Sequence, residues 1–322
     1  MRLDKIAIYI VVAAFLSFLV SLVMPAKPQP IINGYVDKTK IDGRKLYEKT
    51  LINSYNPQTS WTLGQQIGTY NQPEIAGHAA LLVDIKNGNV LFEKNSSDRK
   101  KIASLVKIMT AVLALEHKKS DEKLYVSSRA AQIGENSMGI NEGEIYTLEE
   151  LLYGLMLHSG NDAAYAIAEG VAGNVTTFVA WMNIKAKELG LKDTYFADSS
   201  GLDDSSYSTA ADLVLLTMYG LKNPEFRRVV ATVEKELYGQ DHKYLYLYNQ
   251  TNLLTTYPGV VGVKTGYTQK AGLTLVTYVI NNSVELVGTV LGSVDRKGDM
   301  ILMLDHGFAA LGISIDHPGL VF

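Results

Sequence analysis

The chain has 322 residues, of which 47% are hydrophobic and 20% are charged. These values are typical of a folded protein with one large domain or two ordinary ones, and they exclude a disordered chain. The formal net charge of −3 argues against a nucleic-acid-binding protein, and the absence of cysteine excludes disulfides, thiolate nucleophiles and Cys-ligated metals.

The N-terminus contains an uncharged apolar run from Ile6 to Met24, preceded by Arg2 and Lys5. This run is long enough to cross a bilayer as a helix, and the basic residues before it favour a cytoplasmic N-terminus. Met24-Pro25-Ala26 fits a signal-peptidase site poorly, so a retained anchor is favoured over a cleaved signal, and a buried core helix is least favoured. We therefore predict residues 1–25 as a transmembrane anchor or signal segment that exports the rest of the chain.

The next segment, residues 26–75, is predicted as a tether because prolines interrupt any long periodicity. It also contains aromatic residues that are candidates for packing on the domain that follows, namely Tyr47, Tyr55, Trp61 and Tyr70. We predict that residues 76–322 form the main globular domain.

Two β-hairpins are predicted, one at each end of this domain. In the first, strand-like runs at residues 79–85 and 90–92 flank Asn87-Gly88, a strong hairpin signal. In the second, runs at residues 273–280 and 284–291 flank Asn281-Asn282-Ser283.

The middle of the domain shows helical periodicity. The capping box Thr147-Leu-Glu-Glu150 opens one of these helices. Helices are predicted at residues 104–116, 148–157, 175–189, 209–221 and 297–311, with a restart after Asn161. Strands at both ends with helices between them indicate an α/β (α+β) fold, in which helices flank an antiparallel sheet and form an insertion within it.

Ser104 and Lys107 are one helical turn apart, so their side chains share a face. This spacing alone is weak evidence, because Ser97/Lys100 and Ser120/Lys123 repeat it. In a purely structural interpretation, Ser104 is a helix cap and Lys107 is a solvated lysine.

Two further motifs follow in order. Ser159-Gly160-Asn161 falls between two predicted helices, and Lys264-Thr265-Gly266 is predicted to come immediately before a strand. Each could be a simple loop, but the ordered set of three is the signature of penicillin-recognising serine enzymes.

The wider sequence resembles the serine-type D-alanyl-D-alanine carboxypeptidases, which are the low-molecular-mass penicillin-binding proteins of bacteria. The resemblance covers about residues 77–311 and is carried by the segments 103–111, 158–164, 201–212 and 262–268. It implies a β-lactamase/transpeptidase-like fold, and a protein of the bacterial cell membrane with a single pass and an extracytoplasmic catalytic domain, or a secreted one if the N-terminal segment is cleaved. It also implies peptidoglycan stem peptides as substrates and β-lactam antibiotics as covalent inhibitors, with neither a metal nor a cofactor.

The resemblance assigns roles to the motif residues. Ser104 would be the nucleophile, Lys107 its base, and Ser159 the group that passes a proton to the leaving D-Ala. The substrate-binding residues would be Asn161, Lys264, Thr265, Gly266 and Tyr267, with the backbone N–H groups of Ser104 and Tyr267 as the oxyanion hole.

Lysine can act as a base only when it is neutral. Its pKa must then fall by roughly three pH units, a change worth about 4 kcal/mol. Burial and a second cation both lower the pKa of a lysine, and we expect Lys264 to be that cation. His158 is interpreted as structural, and Arg296 as a surface arginine that could alternatively help to bind the substrate carboxylate.

The favoured activity is a D,D-carboxypeptidase that removes the terminal D-Ala from stem pentapeptides. A D,D-endopeptidase that cuts cross-links is the main alternative, because the two activities share these motifs. A β-lactamase is less favoured because no Glu-x-x-x-Asn pattern is placed as in class A enzymes, and the intact motifs argue against an inactive wall-binding protein.

Overall fold

The computed structural model describes residues 43–52, 66–67 and 71–317. A five-stranded antiparallel sheet forms its centre. Its strands are β1 (Ala79–Asp84), β2 (Asn89–Lys94), β9 (Val260–Thr268), β10 (Gly272–Asn281) and β11 (Val284–Ser293), in the order β2-β1-β11-β10-β9. The sheet therefore joins the two ends of the domain, and both predicted hairpins are confirmed.

Both faces of the sheet are covered. Along β1, alternate residues point to opposite faces. Leu81 and Val83 enter one hydrophobic cluster, while Ala80 and Leu82 enter a second one. This two-sided burial explains why β1 reads as a continuous apolar run.

Helices cover both faces of the sheet. They are α1 (Gly43–Thr50), α2 (Val106–His117), α3 (Ser128–Ala131), α4 (Leu148–Met156), α5 (Asn161–Ala172), α6 (Val175–Glu188), α7 (Ala210–Gly220), α8 (Pro224–Val230), α9 (Leu253–Thr256) and α10 (Arg296–Ala310). The predicted capping box is present at Thr147, which accepts from Glu150 N and receives the Glu150 side chain on its own N–H. The predicted long helices agree with α2 and α4–α7 and with α10 to within a few residues.

Helix α2 lies at the centre of the helical layer. All twelve of its residues are buried, including the polar Lys107 and Thr110. A helix that is enclosed on every side has to satisfy its polar groups inside the protein. The N-terminal end of α2 faces β9, and this junction places the candidate site.

The prediction for Lys264-Thr265-Gly266 is wrong in one respect. The motif lies inside strand β9, which forms the edge of the sheet, rather than before a strand. Two glycines and a lysine weaken the strand pattern of this segment. Pairing with β10 over eight residue pairs nevertheless keeps it extended.

Three small two-stranded sheets were not predicted from the sequence. They pair β3 (Lys100–Lys101) with β6 (Tyr207–Ser208), β4 (Lys123–Tyr125) with β5 (Ile145–Thr147), and β7 (Glu234–Leu237) with β8 (Leu245–Tyr248). Strands of two to four residues are too short to show a clear alternation of polar and apolar positions.

Helix α1 lies within the segment predicted as a tether. Its Tyr47 is 2% exposed and packs edge-on against Trp181 of α6, as the sequence suggested for this tyrosine. The other aromatic residues named for this role, Tyr55, Trp61 and Tyr70, lie outside the described residues, as does the apolar run Ile6–Met24. No helix among the described residues is long and apolar enough to cross a membrane.

Candidate active site

Ser104 lies in a short 3₁₀ turn, Ala103–Leu105, that leads directly into α2. Its side chain caps neither the 3₁₀ turn nor α2, so the interpretation of Ser104 as a helix cap does not hold. The turn is held tightly, since Ala103 has a φ of 49° and Gly201 packs against its carbonyl group. A Cβ atom at Gly201 would lie 2.0 Å from the Ala103 oxygen, so only glycine fits there.

Lys107 is fully buried and its amine is in contact with three oxygens. Its Nζ atom lies 3.1 Å from Ser104 Oγ, 2.7 Å from Asn161 Oδ1 and 2.7 Å from the Ser200 carbonyl oxygen. A neutral amine has two N–H donors and one lone pair. The two carbonyl-type oxygens can take both donors, which leaves the lone pair for the hydroxyl proton of Ser104.

The pKa of Lys107 is lowered to about 7. Burial is the main cause, and the negative charges of Asp198, Asp162 and Glu135 oppose it. We expected the positive charge of Lys264 to lower this pKa. The repulsion between the two lysines instead acts on Lys264, whose pKa lies well below its ordinary value because of burial, Lys107 and Arg296.

The second motif forms the connection between α4 and α5, as predicted. Ser159 has a φ of 62°, in the left-handed region that non-glycine residues rarely adopt. Its hydroxyl group is buried and makes no hydrogen bond to any residue that the structure describes. A strained residue with an unused hydroxyl is typical of functional positions rather than of structural turns.

Asn161 begins α5 and links three segments of the site. Its Oδ1 accepts from Lys107, and its Nδ2 donates to the Gly134 carbonyl oxygen at 3.1 Å. The structure therefore brings Ser104, Lys107 and Asn161 into one hydrogen-bonded group, although 54 residues separate Lys107 from Asn161.

Edge strand β9 forms the opposite wall. Lys264 is fully buried and donates to the Thr265 carbonyl oxygen at 3.0 Å, while Tyr267 is 62% exposed. A Cβ atom at Gly266 would lie 3.0 Å from the backbone nitrogen of Ser104. The absence of a side chain at Gly266 thus keeps the space beside the Ser104 N–H open, as an oxyanion hole requires.

The comparisons with known proteins agree with this geometry. The family profile described as D-alanyl-D-alanine carboxypeptidase matches residues 66–295. The chain belongs to this family.

Several relatives of this family are similar to the chain in sequence. D-alanyl-D-alanine carboxypeptidase DacF of Bacillus subtilis is 36% identical over 72% of this chain and 62% of its own length. D-alanyl-D-alanine carboxypeptidase DacB2 of Mycobacterium tuberculosis is 32% identical over 76% of this chain and 87% of its own length. The alignment thus spans less than two thirds of the Bacillus relative.

Solved structures of family members share the fold. The D-alanyl-D-alanine carboxypeptidase from Mycobacterium tuberculosis matches with a TM-score of 0.71 at 32% identity, covering 76% of this chain and 96% of that structure. The Streptomyces K15 DD-transpeptidase matches with a TM-score of 0.71 at 31% identity, covering 74% of this chain and 99% of that structure. The predicted fold of an antiparallel sheet flanked by helices is confirmed.

Two buried carboxylates accept hydrogen bonds from the loops next to the motif residues, and the sequence analysis did not identify them. Asp162 accepts from Ser137 Oγ and from the backbone N–H groups of Met138, Gly139 and Ile140 at 2.5–3.2 Å. It thereby fixes the loop beside Asn161. A carboxylate that follows a motif residue directly and opens a helix was the available signal.

Asp198 plays the same part for the segment that carries Ser200. It accepts from Ser200 Oγ at 2.5 Å and from the N–H groups of Gly201 and Leu202 at 2.8 and 3.0 Å. These bonds orient the Ser200 carbonyl group toward Lys107. Backbone acceptors such as this one have no side-chain signature in a sequence.

The structure corrects the interpretation of Arg296 as a surface residue. Arg296 is partly buried at the start of α10, and its guanidinium donates to the Gly266 carbonyl oxygen at 2.7 Å. Burial lowers its pKa from the ordinary value. Arg296 therefore adds a positive charge beside the Lys264 motif.

His158 precedes Ser159 and packs edge-on against the ring of Tyr248, with 5.5 Å between ring centroids. Burial lowers its pKa, so the imidazole is neutral at neutral pH. Its contacts agree with the structural role predicted for it.

Proposed function

We propose that the chain is a serine D-alanyl-D-alanine carboxypeptidase, which removes the terminal D-Ala from peptidoglycan stem pentapeptides through an acyl-enzyme on Ser104. The observation that carries this proposal is the placement of Lys107 Nζ at 3.1 Å from Ser104 Oγ, together with the lowered pKa of Lys107. A serine hydroxyl needs an adjacent base to become an effective nucleophile at neutral pH.

In the acylation step, Ser104 Oγ attacks the carbonyl carbon of the penultimate D-Ala while Lys107 accepts the hydroxyl proton. Negative charge then develops on the carbonyl oxygen. The N–H groups of Ser104 and Tyr267 stabilise this charge, and Gly266 keeps the approach to them open.

The tetrahedral intermediate then loses D-Ala. The bond between carbon and nitrogen breaks, and the leaving amine needs a proton as it departs. The buried hydroxyl of Ser159, which makes no hydrogen bond within the described part of the chain, is the donor, and it recovers its proton from the Lys107 ammonium. Asn161 holds the substrate amide with its remaining N–H, since one N–H is used by Gly134.

The C-terminal carboxylate of the substrate binds at β9. Lys264, Thr265 and Arg296 supply the positive charge and the hydroxyl group for it, and the free edge of β9 pairs with the peptide backbone. Binding of this anion favours the charged form of Lys264, whose pKa is held low in the free protein. Recognition of a free carboxylate makes the enzyme an exopeptidase.

Water then hydrolyses the acyl-enzyme. A β-lactam, whose cyclic amide is opened by the same attack of Ser104, is expected to acylate the enzyme covalently. A second candidate is transfer of the acyl group to an amine, which the structural similarity to the Streptomyces K15 DD-transpeptidase favours.

The test uses the full-length chain, with Ser104→Ala as the matched control. The enzyme is incubated with a pentapeptide muropeptide, with a cross-linked muropeptide dimer, and with the pentapeptide plus an acceptor amine, and products are read by mass spectrometry. Loss of one alanine that is absent in the control supports the carboxypeptidase. Dimer cleavage alone indicates the D,D-endopeptidase, an amide of the acceptor indicates the transpeptidase, and no change in any mixture overturns the proposal.

We also propose that the chain is anchored in the bacterial cell membrane by one pass and that its catalytic domain lies on the extracytoplasmic side. The apolar run Ile6–Met24 after Arg2 and Lys5 supports this placement, with residues 1–25 as the anchor or signal segment. Fractionation of cells that express the chain tests it. Recovery in the membrane pellet supports the anchor, release into the medium indicates a cleaved signal, and recovery in the cytosol contradicts both.

A further inference from the structure

The hairpin β7–β8 presents a row of tyrosines on its outer face. Residues two apart in a strand point to the same side, so Tyr246 and Tyr248 of β8 share one face, and Tyr244 immediately precedes this strand. Cross-strand pairing places Glu236 opposite Tyr246 and Glu234 opposite Tyr248 on this face. Tyr238 completes it, with its ring 5.1 Å from that of Tyr244.

This tyrosine face is open. The exposed fractions of its four tyrosines are 69% for Tyr238, 53% for Tyr244, 49% for Tyr246 and 53% for Tyr248. Among the described residues, it brings together four of the seven exposed tyrosines. Isolated exposed aromatic residues are common on proteins, but a contiguous group of them marks an interaction surface.

The opposite face of the same hairpin is fixed to the domain. Leu237 and Leu247 are 2% and 1% exposed and belong to the main hydrophobic cluster. The Lys235 ammonium lies 4.9 Å from the centre of the Tyr153 ring of α4. The tyrosine face is therefore presented by a rigid element, and a ligand that binds it incurs little ordering cost.

The hairpin leads directly to the candidate active site. After Tyr248, Gln250 bonds the Leu157 and His158 carbonyl oxygens, at 3.0 Å from its backbone N–H and 3.1 Å from its side chain. These carbonyl groups immediately precede Ser159. The Tyr248 ring itself packs against His158. A ligand on the tyrosine face would therefore continue toward the strained turn that carries Ser159.

The chemistry of the face suits a saccharide. Tyrosine rings offer flat apolar surfaces with hydroxyl groups at their rims. The Tyr246 hydroxyl donates to Glu234 and the Tyr238 hydroxyl donates to Glu236, so carboxylate acceptors for sugar hydroxyl and amide protons lie beside the rings. The same carboxylates repel phosphate groups, which argues against an anionic lipid surface as the occupant. Rings on alternate strand residues lie ~7 Å apart, so three of them extend over more than one sugar ring.

We propose that the tyrosine face binds the glycan chain to which the stem peptide is attached, so that the enzyme acts preferentially on polymeric peptidoglycan. This inference rests on the proposed function for the identity of the polymer. Binding to the glycan is nevertheless separable from catalysis. A chain without any peptidase activity could still bind peptide-free glycan through this face.

The test compares the full-length chain with the variants Tyr244→Ala/Tyr246→Ala and Tyr244→Phe/Tyr246→Phe. Tyr195→Ala is the matched control, because Tyr195 is 44% exposed and lies outside the hairpin. Binding to immobilised peptide-free glycan strands is measured by surface plasmon resonance, with dextran as the blank. Release of D-Ala is measured in parallel from a soluble pentapeptide and from purified cell wall.

The alanine pair is expected to weaken glycan binding about tenfold or more, since each lost ring removes a stacking contact worth about a factor of three to ten. The phenylalanine pair keeps the rings, so its glycan affinity should stay closer to that of the wild type. The glycan affinity of Tyr195→Ala should equal that of the wild type. The alanine pair should also release D-Ala more slowly from cell wall, with hydrolysis of the soluble pentapeptide within about twofold of the wild type.

The inference is overturned if the wild type does not bind peptide-free glycan or if the alanine pair binds it as the wild type does. It is equally overturned if Tyr195→Ala loses as much glycan affinity as the alanine pair. It is also overturned if the alanine pair keeps its glycan affinity and loses only affinity for immobilised phosphatidylglycerol bilayers, which would indicate a lipid surface. A failure of the proposed function looks different. In that case neither substrate releases D-Ala, while the glycan measurement still decides the role of the tyrosine face.

Discussion

The main-chain carbonyl group of Ser200 accepts a 2.7 Å hydrogen bond from Lys107 Nζ. Asn161 Oδ1 accepts a second bond of the same length from the same amine. These two acceptors match the two N–H groups of a neutral lysine. They orient the amine, but neither acceptor carries a formal charge, so neither forms an ion pair with it. The site thus lets this lysine lose its proton near pH 7 and points its lone pair at Ser104.

Replacement of Lys107 by arginine should remove activity, because it puts a permanently charged group in the place of the base. A guanidinium remains protonated in proteins, so it cannot accept the Ser104 proton. Loss of a positioned general base lowers kcat/KM by about a hundredfold to ten-thousandfold. Steady-state hydrolysis of the pentapeptide by Lys107→Arg measures this effect.

Lys100→Arg is the matched control, because Lys100 has the same spacing from Ser97 and lies on a partly exposed strand. It should keep kcat/KM within about twofold of the wild type, as expected for a surface substitution. Near-normal activity in Lys107→Arg would show that the proton leaves Ser104 by another route.

The pH dependence of acylation should report the pKa of Lys107. Below about 7 the amine is protonated and cannot accept the Ser104 proton, so kcat/KM should fall about tenfold for each pH unit lost. Above about 7 the rate should level off. The rate of acylation by a β-lactam, followed by stopped flow from pH 5 to 9, measures this profile. A flat profile between pH 5 and 8 would mean that Lys107 is not the base.

The same pKa sets the sign of a stability effect. The folded-state pKa of Lys107 lies below its ordinary value, so the unfolded chain binds more protons between about pH 7 and the ordinary lysine pKa. The contribution of Lys107 to the free energy of unfolding therefore rises with pH across that window. Urea titrations of the wild type and Lys107→Met at pH 7 and pH 9 isolate it. Methionine does not titrate, so the free energy of unfolding of Lys107→Met relative to that of the wild type should be lower at pH 9 than at pH 7.

Local spacing predicted much of this site, because Ser104 and Lys107 share one helical turn and the capping box fixes the start of α4. The remaining parts come from distant segments. The Ser200 and Gly134 carbonyl groups are backbone atoms that any residue could supply, so no residue type marks them. Lys264 is a fully buried lysine within a strand, and it breaks the apolar pattern by which buried strands are found. Its place inside β9 follows from pairing with β10, which a local pattern does not show.

Asp162 should prove necessary for the stability of the site. Its carboxylate accepts from Ser137 Oγ and from the N–H groups of Met138, Gly139 and Ile140. Asp162→Ala leaves these donors without their acceptor in a buried place, where each unsatisfied group costs about 1–3 kcal/mol. We expect the free energy of unfolding to fall by about 3 kcal/mol or more, measured by urea denaturation.

Asp203→Ala is a suitable control, since Asp203 is an exposed acid whose carboxylate accepts a 2.8 Å bond from the Ser205 N–H within its own turn. It should change the free energy of unfolding by less than about 1 kcal/mol. If Asp162→Ala were equally mild, the loop at residues 137–140 would not depend on this carboxylate.

Tyr47 tests whether helix α1 is part of the folded body. Its ring packs against Trp181 and His117, and its hydroxyl donates to Glu188 at 2.8 Å. Tyr47→Ala should lower the free energy of unfolding by about 3–5 kcal/mol, as for other buried aromatic residues. Tyr47→Phe keeps the ring and loses only the hydrogen bond, so it should cost about 1 kcal/mol. Urea denaturation of both variants separates the packing contribution from that of the hydroxyl.

Tyr195→Ala provides the comparison, because it removes an exposed tyrosine at a cost of about 0.5 kcal/mol or less. A loss below about 1 kcal/mol in Tyr47→Ala would mean that α1 detaches without consequence for the domain. A large loss would show that the segment before the sheet is held by α6, through Trp181 and Glu188, and by the C-terminal end of α2, where His117 lies. Helix α2, which begins beside Ser104, would then also hold helix α1 in place.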